Sequence, residues 1–279
     1  MRNVPPQKFK GVFWSCVSKA ISHTICTMFL WQRIGLVLAL TAVAGCAKEK
    51  VSIGRTDPDL EIQKCIHLSG KKLYEEAVEC LEIFKSRFPQ TQLGQEAELK
   101  IADTYFRQGE FLLAAETYQV FISLYPNHPK VDYALYRKGL SYFEKSPKAI
   151  DRDQQYLDKA VGELESFVRI FPTSPYYDLG KKALADAENR LAERIFYVGR
   201  FYYRTDEYQS AAARMEELIQ KYPNSTKTPH ALFFLTESRL ALGDSEAARV
   251  AVSMLIEIFP NDDWTKKAQD SYFKTIGAK

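Results

Sequence analysis

The sequence predicts an all-α fold, a superhelical solenoid of five helix–turn–helix repeats, and three observations carry that expectation. An aromatic residue precedes proline five times: Phe88-Pro89, Tyr125-Pro126, Phe171-Pro172, Tyr222-Pro223 and Phe259-Pro260. Twelve residues before each of these prolines stands an alanine: Ala77, Ala114, Ala160, Ala211 and Ala248. Four residues after each alanine the chain is apolar (Leu81, Tyr118, Leu164, Met215, Val252), and seven after it apolar again (Phe84, Phe121, Phe167, Leu218, Leu255). That i, i+4, i+7 stripe predicts an amphipathic helix stopping just before proline.

The first helix of each pair follows from the same frame. Twelve residues before the alanine the side chain is small or compact: Cys65, Ala102, Gly199 and Thr236, with Gly139 in the third unit once nine inserted residues are allowed for. Three residues further on come Leu68, Tyr105, Tyr142, Tyr202 and Arg239. This is the tetratricopeptide spacing. The small residue is expected to let the alanine of the second helix approach, with the large residues filling the space beside them. Neither helix buries its apolar face alone, so stacked neighbours supply the core. The repeats fall at about 59–92, 93–129, 130–175, 176–226 and 227–276 within a domain of 59–279. The third carries an insertion near Lys145 to Gln154, and the fourth a long uninterrupted helical pattern from about Tyr177 to Arg204.

Ahead of the repeats lies an address. Residues 1 to 45 contain Arg2, Lys8, Lys10, Lys19 and Arg33 and no acid, and without them the formal count is 33 basic against 35 acidic residues. A nucleic-acid binder normally shows a basic excess in its folded part, so the count argues against that class. From Met28 the chain runs through Arg33 into an apolar stretch, Ile34 to Ala44, and then Gly45-Cys46. This is the order of a secretory signal, too short to span a bilayer. Val43-Ala44-Gly45-Cys46 resembles a bacterial lipobox, in which Cys46 is acylated and becomes the new N-terminus. The expected organisation is therefore a misassigned extension at 1–27, a lipoprotein signal peptide at 28–45 and a lipidated polar tether at 46–58. Two or more acyl chains hold a soluble domain at a membrane. Ala47 follows the cysteine in place of the aspartate that marks inner-membrane retention, which points to the outer membrane's periplasmic face.

No catalytic constellation is visible, so the sequence reads as a binding scaffold and not an enzyme. The histidines His23, His67, His128 and His230 stand at no zinc-like spacing, and no His-Glu-x-x-His, Gly-x-Ser-x-Gly or phosphate-loop motif occurs. Apart from the covalent lipid, no cofactor or metal is expected. Glu75-Glu76 and Glu216-Glu217 read as solvated helix faces. Cys16 and Cys26 precede the cleavage site; Cys65 and Cys80 stand on the two helices of the first repeat. In an oxidising compartment they could form a disulfide, or Cys65 could be the small packing residue its position requires.

In this repeat type the first helix of each pair lines the inner surface. Projection from the small residue of repeats two and three places Leu99, Asp103, Phe106, Tyr133, Tyr136, Leu140 and Phe143 there, with Arg107 and Arg137 adjoining and Tyr105 and Tyr142 assigned to the core. Aromatic rings beside a carboxylate suit an extended peptide bearing aromatic side chains, and an arginine suits a peptide carboxylate.

The run Pro126-Asn127-His128-Pro129-Lys130-Val131-Asp132-Tyr133-Ala134-Leu135-Tyr136-Arg137-Lys138-Gly139-Leu140 resembles the BamD (YfiO, ComL) family of lipoproteins of the outer-membrane β-barrel assembly machine. Asp151-Arg152-Asp153, Pro172-Thr173-Ser174-Pro175-Tyr176, Leu191-Ala192-Glu193 and Ala211-Ala212-Ala213-Arg214 extend the likeness along the mature chain. The resemblance implies a non-enzymatic scaffold in a Gram-negative periplasm. Its C-terminal repeats would hold the periplasmic domains of the barrel subunit BamA, with Arg214 at the contact, and its N-terminal repeats would receive targeting signals of unfolded outer-membrane proteins. Other lipoproteins of the complex are possible partners, although the insertion near 145–154 is shorter than in some members. The alternative is a periplasmic repeat scaffold of the Tol-Pal or cell-division coordinator type; the chain shows a lipobox and no sustained heptads.

Overall fold

The computed structural model describes residues 57–277, so Cys46, the signal sequence, the N-terminal extension and all but the end of the tether lie outside the described residues. Among the described residues there are eleven α-helices and no strand. The helices are α1 (Pro58–Gly70), α2 (Tyr74–Arg87), α3 (Gln92–Gln108), α4 (Phe111–Leu124), α5 (Val131–Lys145) and α6 (Gln155–Ile170), then α7 (Tyr177–Arg204), α8 (Tyr208–Lys221), α9 (Thr228–Ala241), α10 (Ser245–Ile258) and α11 (Asp263–Gly277). Each packs on its sequence neighbours, giving five antiparallel pairs stacked in the manner of tetratricopeptide repeats and a final helix laid on α9 and α10.

The repeated positions do what their spacing requires. All five alanines are fully buried, as are the five apolar residues seven positions on. The second helices end alike: Phe88, Tyr125, Phe171, Tyr222 and Phe259 are C-caps with φ between −121° and −132°, and each donates its N–H to the carbonyl of that buried i+7 residue. A residue before proline is pushed out of the helical region, so the proline fixes the stop. The small residue of the first helix makes room for a different neighbour than the spacing suggests. A Cβ on Gly139 would stand 2.8 Å from Leu164 Cγ, and one on Gly199 2.7 Å from Met215 Cε. Leu164 and Met215 are the large residues four positions after the alanine, so these, and not the alanine, press into the gap.

Cys65 and Cys80 are joined by a disulfide with Cα atoms 5.4 Å apart. Both readings of Cys65 hold at once, since it is fully buried at the small-residue position and also staples α1 to α2. The insertion in the third repeat is the loop between α5 and α6, organised by buried Gln154, whose amide donates to the carbonyls of Ala149 at 2.9 Å, Arg152 at 3.3 Å and Pro147 at 3.4 Å. Arg190 of α7 also donates to Pro147 O, at 2.5 Å. Helix α7 covers the span its pattern predicts, starting against α6 where a Cβ on Gly180 would meet the Phe167 ring at 2.3 Å. Pro58 stands at the start of α1, where its missing N–H costs nothing, and Asp57 caps the helix through the N–H of Asp59. No helix among the described residues is long and apolar enough to cross a membrane.

Candidate functional site

Helices α3 and α5, the first helices of repeats two and three, flank a cleft of about 610 Å³. It is lined by Asp103, Phe106 and Arg107 of α3, the turn at Gly109, Phe111 at the start of α4, and Tyr133, Arg137 and Glu144 of α5. One chain of contacts holds it. Tyr118 of α4, which is fully buried, donates its hydroxyl to Asp103 Oδ1 at 2.6 Å, and Tyr133 donates to the same oxygen at 2.8 Å. Lys100 Nζ reaches Asp103 Oδ2 at 3.2 Å. Arg137 Nε donates to Tyr118 Oη at 3.1 Å while its guanidinium lies 3.7 Å from the centroid of the Phe106 ring. Phe106 in turn meets Phe111 edge-on at 5.2 Å.

Burial, and then the neighbouring Asp103 carboxylate, push the Tyr118 and Tyr133 hydroxyls well above the ordinary tyrosine value, so both stay donors throughout the physiological range. Burial pulls the Arg137 guanidinium down, but Tyr118, Tyr133 and Asp103 outweigh it and leave it above its usual value. The result is a fixed cation stacked on a ring, with its Nη atoms making no hydrogen bond among the described residues. Such a cation can take a carboxylate, and the adjoining rings can take an aromatic side chain.

The seven residues projected to one groove do not share one setting. Phe106 and Tyr133 line the cleft. Asp103 touches it but is only 5% exposed, with both oxygens engaged, so it positions its neighbours and leaves ligand contact to them. Leu99 is fully buried in one cluster with Ala102, Phe121 and Ala134; it is core and not lining. Tyr136 is drawn away to stack on Tyr176 at 5.9 Å and 8° and to meet Phe167 at 5.7 Å. Phe143 packs beside Leu157, Ala187 and Leu191 with the Arg190 guanidinium 5.0 Å from its ring centroid. Half-buried Leu140 lies outside the lining as well. Arg107 is tied back toward α1 by a 3.4 Å contact with Ser69 Oγ. Tyr105 and Tyr142 are both half-buried: Tyr105 packs against the core cluster, and Tyr142 stacks on Tyr156 at 6.3 Å.

The sequence reading missed Tyr118 as the organiser. Its signal is present: among five residues at the i+4 position, four are aliphatic or methionine and one is a tyrosine, whose hydroxyl must find a partner when buried.

Arg214, on α8, is a half-exposed cation paired with Glu217 at 2.5 Å, and Glu217 also takes Lys221 at 2.8 Å. Lys221 first and Arg214 second hold the Glu217 carboxyl below its ordinary value. Glu216 faces the other way, toward Arg239 at 2.5 Å.

A family model described as YfiO, outer membrane lipoprotein, matches residues 67–255. The chain is 26% identical over 235 residues to the outer membrane protein assembly factor BamD of Caulobacter vibrioides, covering 83% of this chain and 77% of that one. It is 29% identical over 233 residues to the factor of the same name from Rickettsia prowazekii, covering 83% and 90%. Among solved structures, the TPR2AB domain of yeast Sti1 in its pHSP90 complex is similar at a TM-score of 0.40 and 16% identity, covering 79% of this chain and 88% of that one. With the family model spanning well over half of its length, the chain belongs to the YfiO family of outer membrane lipoproteins, and its relatives are BamD outer membrane protein assembly factors.

Proposed function

We propose that the protein is a lipid-anchored, non-enzymatic scaffold of the β-barrel assembly machinery, held through Cys46 at the periplasmic face of the outer membrane. Its N-terminal repeats receive the aromatic-bearing targeting segment of unfolded outer-membrane proteins in the α3–α5 cleft, and its C-terminal repeats hold the periplasmic domains of BamA at Arg214. The observation that carries the first half is the Arg137 guanidinium stacked on Phe106 beside two tyrosines locked by Asp103. A preorganised cation and aromatic floor lower the ordering cost of binding a flexible chain. Support for the second half is the family membership together with the exposure of Arg214.

The test is a pull-down from detergent-solubilised envelopes with the lipidated protein and with Arg214→Glu, read by mass spectrometry. Recovery of a large β-barrel protein by the wild type and its loss in the variant is the expected result. Recovery by both moves the contact away from Arg214. Tol-Pal or division proteins in place of a barrel protein would overturn the reading.

A further inference from the structure

Helix α7 is longer than any other first helix, and its C-terminal half presents a surface with no assigned use. Ala192, Phe196 and Gly199 face the core on one side. On the opposite side, at helical spacings of three, four and three residues, lie Arg194, Tyr197, Phe201 and Arg204, all exposed; Tyr197 is 55% and Phe201 58% accessible. Large rings at that exposure on a helix surface mark an interaction site when they adjoin one another and carry charge at their rim. Neither Arg194 nor Arg204 takes part in an ion pair or a side-chain hydrogen bond among the described residues. Two of the acids beside them are engaged elsewhere: Glu193 with Lys227 at 3.5 Å, and Asp206 with the Tyr208 hydroxyl at 2.6 Å.

We propose that this stripe docks an extended acidic segment of a partner protein, in which two carboxylates flank an apolar or aromatic side chain. The charge is complementary, and so is the length. Arg194 and Arg204 are ten residues apart, about 15 Å along a helix rising 1.5 Å per residue. Carboxylates at the ends of a five-residue extended segment lie about 13 Å apart on one face, with the middle side chain between them on that same face. Arginine arms make up the remainder. Tyr197 and Phe201 then receive the middle side chain, and the arginines take the carboxylates. An anionic bilayer fits less well, because Glu193, Asp206 and Glu207 border the stripe and would face a broad anionic surface, whereas a segment one strand wide avoids them.

The test uses the full lipidated protein in phosphatidylcholine nanodiscs and a fluorescein-labelled peptide Glu-Ser-Phe-Ser-Glu, with Lys-Ser-Phe-Ser-Lys and Glu-Ser-Ser-Ser-Glu as controls, read by anisotropy. The expected result is binding of the first peptide alone, weakened at least tenfold by Arg194→Glu with Arg204→Glu and weakened again as salt rises. Phe201→Ser, which leaves every charge in place, should weaken it severalfold. Arg194→Gln with Arg204→Gln serves as a milder pair if the charge reversal disturbs folding. Arg137→Gln separates this face from the α3–α5 cleft, since peptide held at the stripe keeps its dependence on Arg194 and Arg204 in that background. Equal binding of the lysine peptide, no effect of either arginine pair, or loss only in Arg137→Gln would each overturn the proposal. Loss of peptide binding to the wild type on replacing phosphatidylcholine with phosphatidylglycerol, but not to Phe201→Ser, would assign the stripe to an anionic lipid surface and overturn it equally.

Discussion

The residues of the α3–α5 cleft and those at the equivalent repeat positions of α7 and α9 are wired in opposite senses. One residue after the small position stands Asp103 in α3 and Arg200 in α7; four after it stand Phe106 and Tyr203. Two residues before the small position of the next first helix stand Arg137 in α5 and Phe234 in α9. In the N-terminal site the cation comes from the second of these helices and lies on a ring of the first, Arg137 on Phe106 at 3.7 Å. In the C-terminal site the direction reverses, with Arg200 of α7 placed 5.7 Å from the Phe234 centroid of α9 and 5.8 Å from Phe196. Polar satisfaction differs too. Asp103 has both oxygens engaged, whereas Glu237 has one oxygen at 3.5 Å from the Tyr203 hydroxyl and the other buried without a partner. A repeat frame therefore fixes where side chains stand and leaves open whether they form a rigid site or an adaptable one.

The largest way to break the comparison is at its centre. Asp103→Leu removes the acceptor of the Tyr118 and Tyr133 hydroxyl protons, the first fully buried though Tyr118 Oη still accepts from Arg137, and a buried unsatisfied group costs about 1–3 kcal/mol. We expect a loss near 3 kcal/mol in urea unfolding, against less than about 1 kcal/mol for Arg200→Leu, whose guanidinium makes no hydrogen bond among the described residues. Similar losses from both would mean that the N-terminal network is no tighter than its counterpart.

The staple gives a second, comparable contrast. Cys65 and Cys80 are separated by 15 residues in sequence, and closing a loop of that length stabilises by about 3 kcal/mol. Cys65→Ala with Cys80→Ala should lower the unfolding midpoint accordingly and raise hydrogen exchange in α1 and α2 while leaving α9 and α10 protected. The equivalent positions of the last repeat are Thr236 and Ala251. If the repeats are as interchangeable as their spacing says, Thr236→Cys with Ala251→Cys should oxidise to a second staple.

Alkaline titration sharpens the comparison without any substitution. The folded pKa values of Tyr118 and Tyr133 lie above those of the unfolded chain, near 10. Their contribution is thus complete below about pH 10 and is lost as pH climbs toward the folded values. Hydrogen exchange should show α3 to α5 opening before α9 and α10 above pH 10, together with the rise in tyrosinate absorbance. In Tyr118→Phe that first opening should move to higher pH or vanish.

What was legible in the sequence follows the same division. Alanine, the i+4 and i+7 stripe and the proline stop are each set by one helix's own period and cap, so they can be read locally, and the 28-residue α7 falls where its pattern places it. Leu99 and Tyr136 could not be placed this way. Both lie on the projected inner stripe, but Leu99 is taken into the buried cluster that also holds Phe121 of α4 and Ala134 of α5, and Tyr136 is claimed by Tyr176 at the start of α7. Helix α11 escaped as well. It carries none of the repeat marks, and holds on through buried Ala268, through Thr265, whose hydroxyl donates to Phe259 O at 2.6 Å, and through Trp264 against His230.

The smallest expected effect is the one on which the functional test depends. Arg214 is half exposed, its pair with Glu217 is a surface ion pair of roughly 0–1 kcal/mol, and Glu217 keeps Lys221 at 2.8 Å when Arg214 is gone. Its Cβ, however, packs where Gly199 leaves space, and a Cβ added at Gly199 would stand 3.2 Å from it. Substitutions that keep a Cβ should therefore be nearly silent: Arg214→Ala and Arg214→Glu within about 0.5 kcal/mol of wild type in urea unfolding, the second slightly lower because a new carboxylate stands one turn from Glu217. Arg214→Gly should cost about 1 kcal/mol more, for the lost packing and for glycine's freedom in a helix. If Arg214→Glu unfolds the C-terminal repeats, a lost partner would report damage to α8 and not a lost contact, and Arg214→Ala would be the variant to carry into the pull-down.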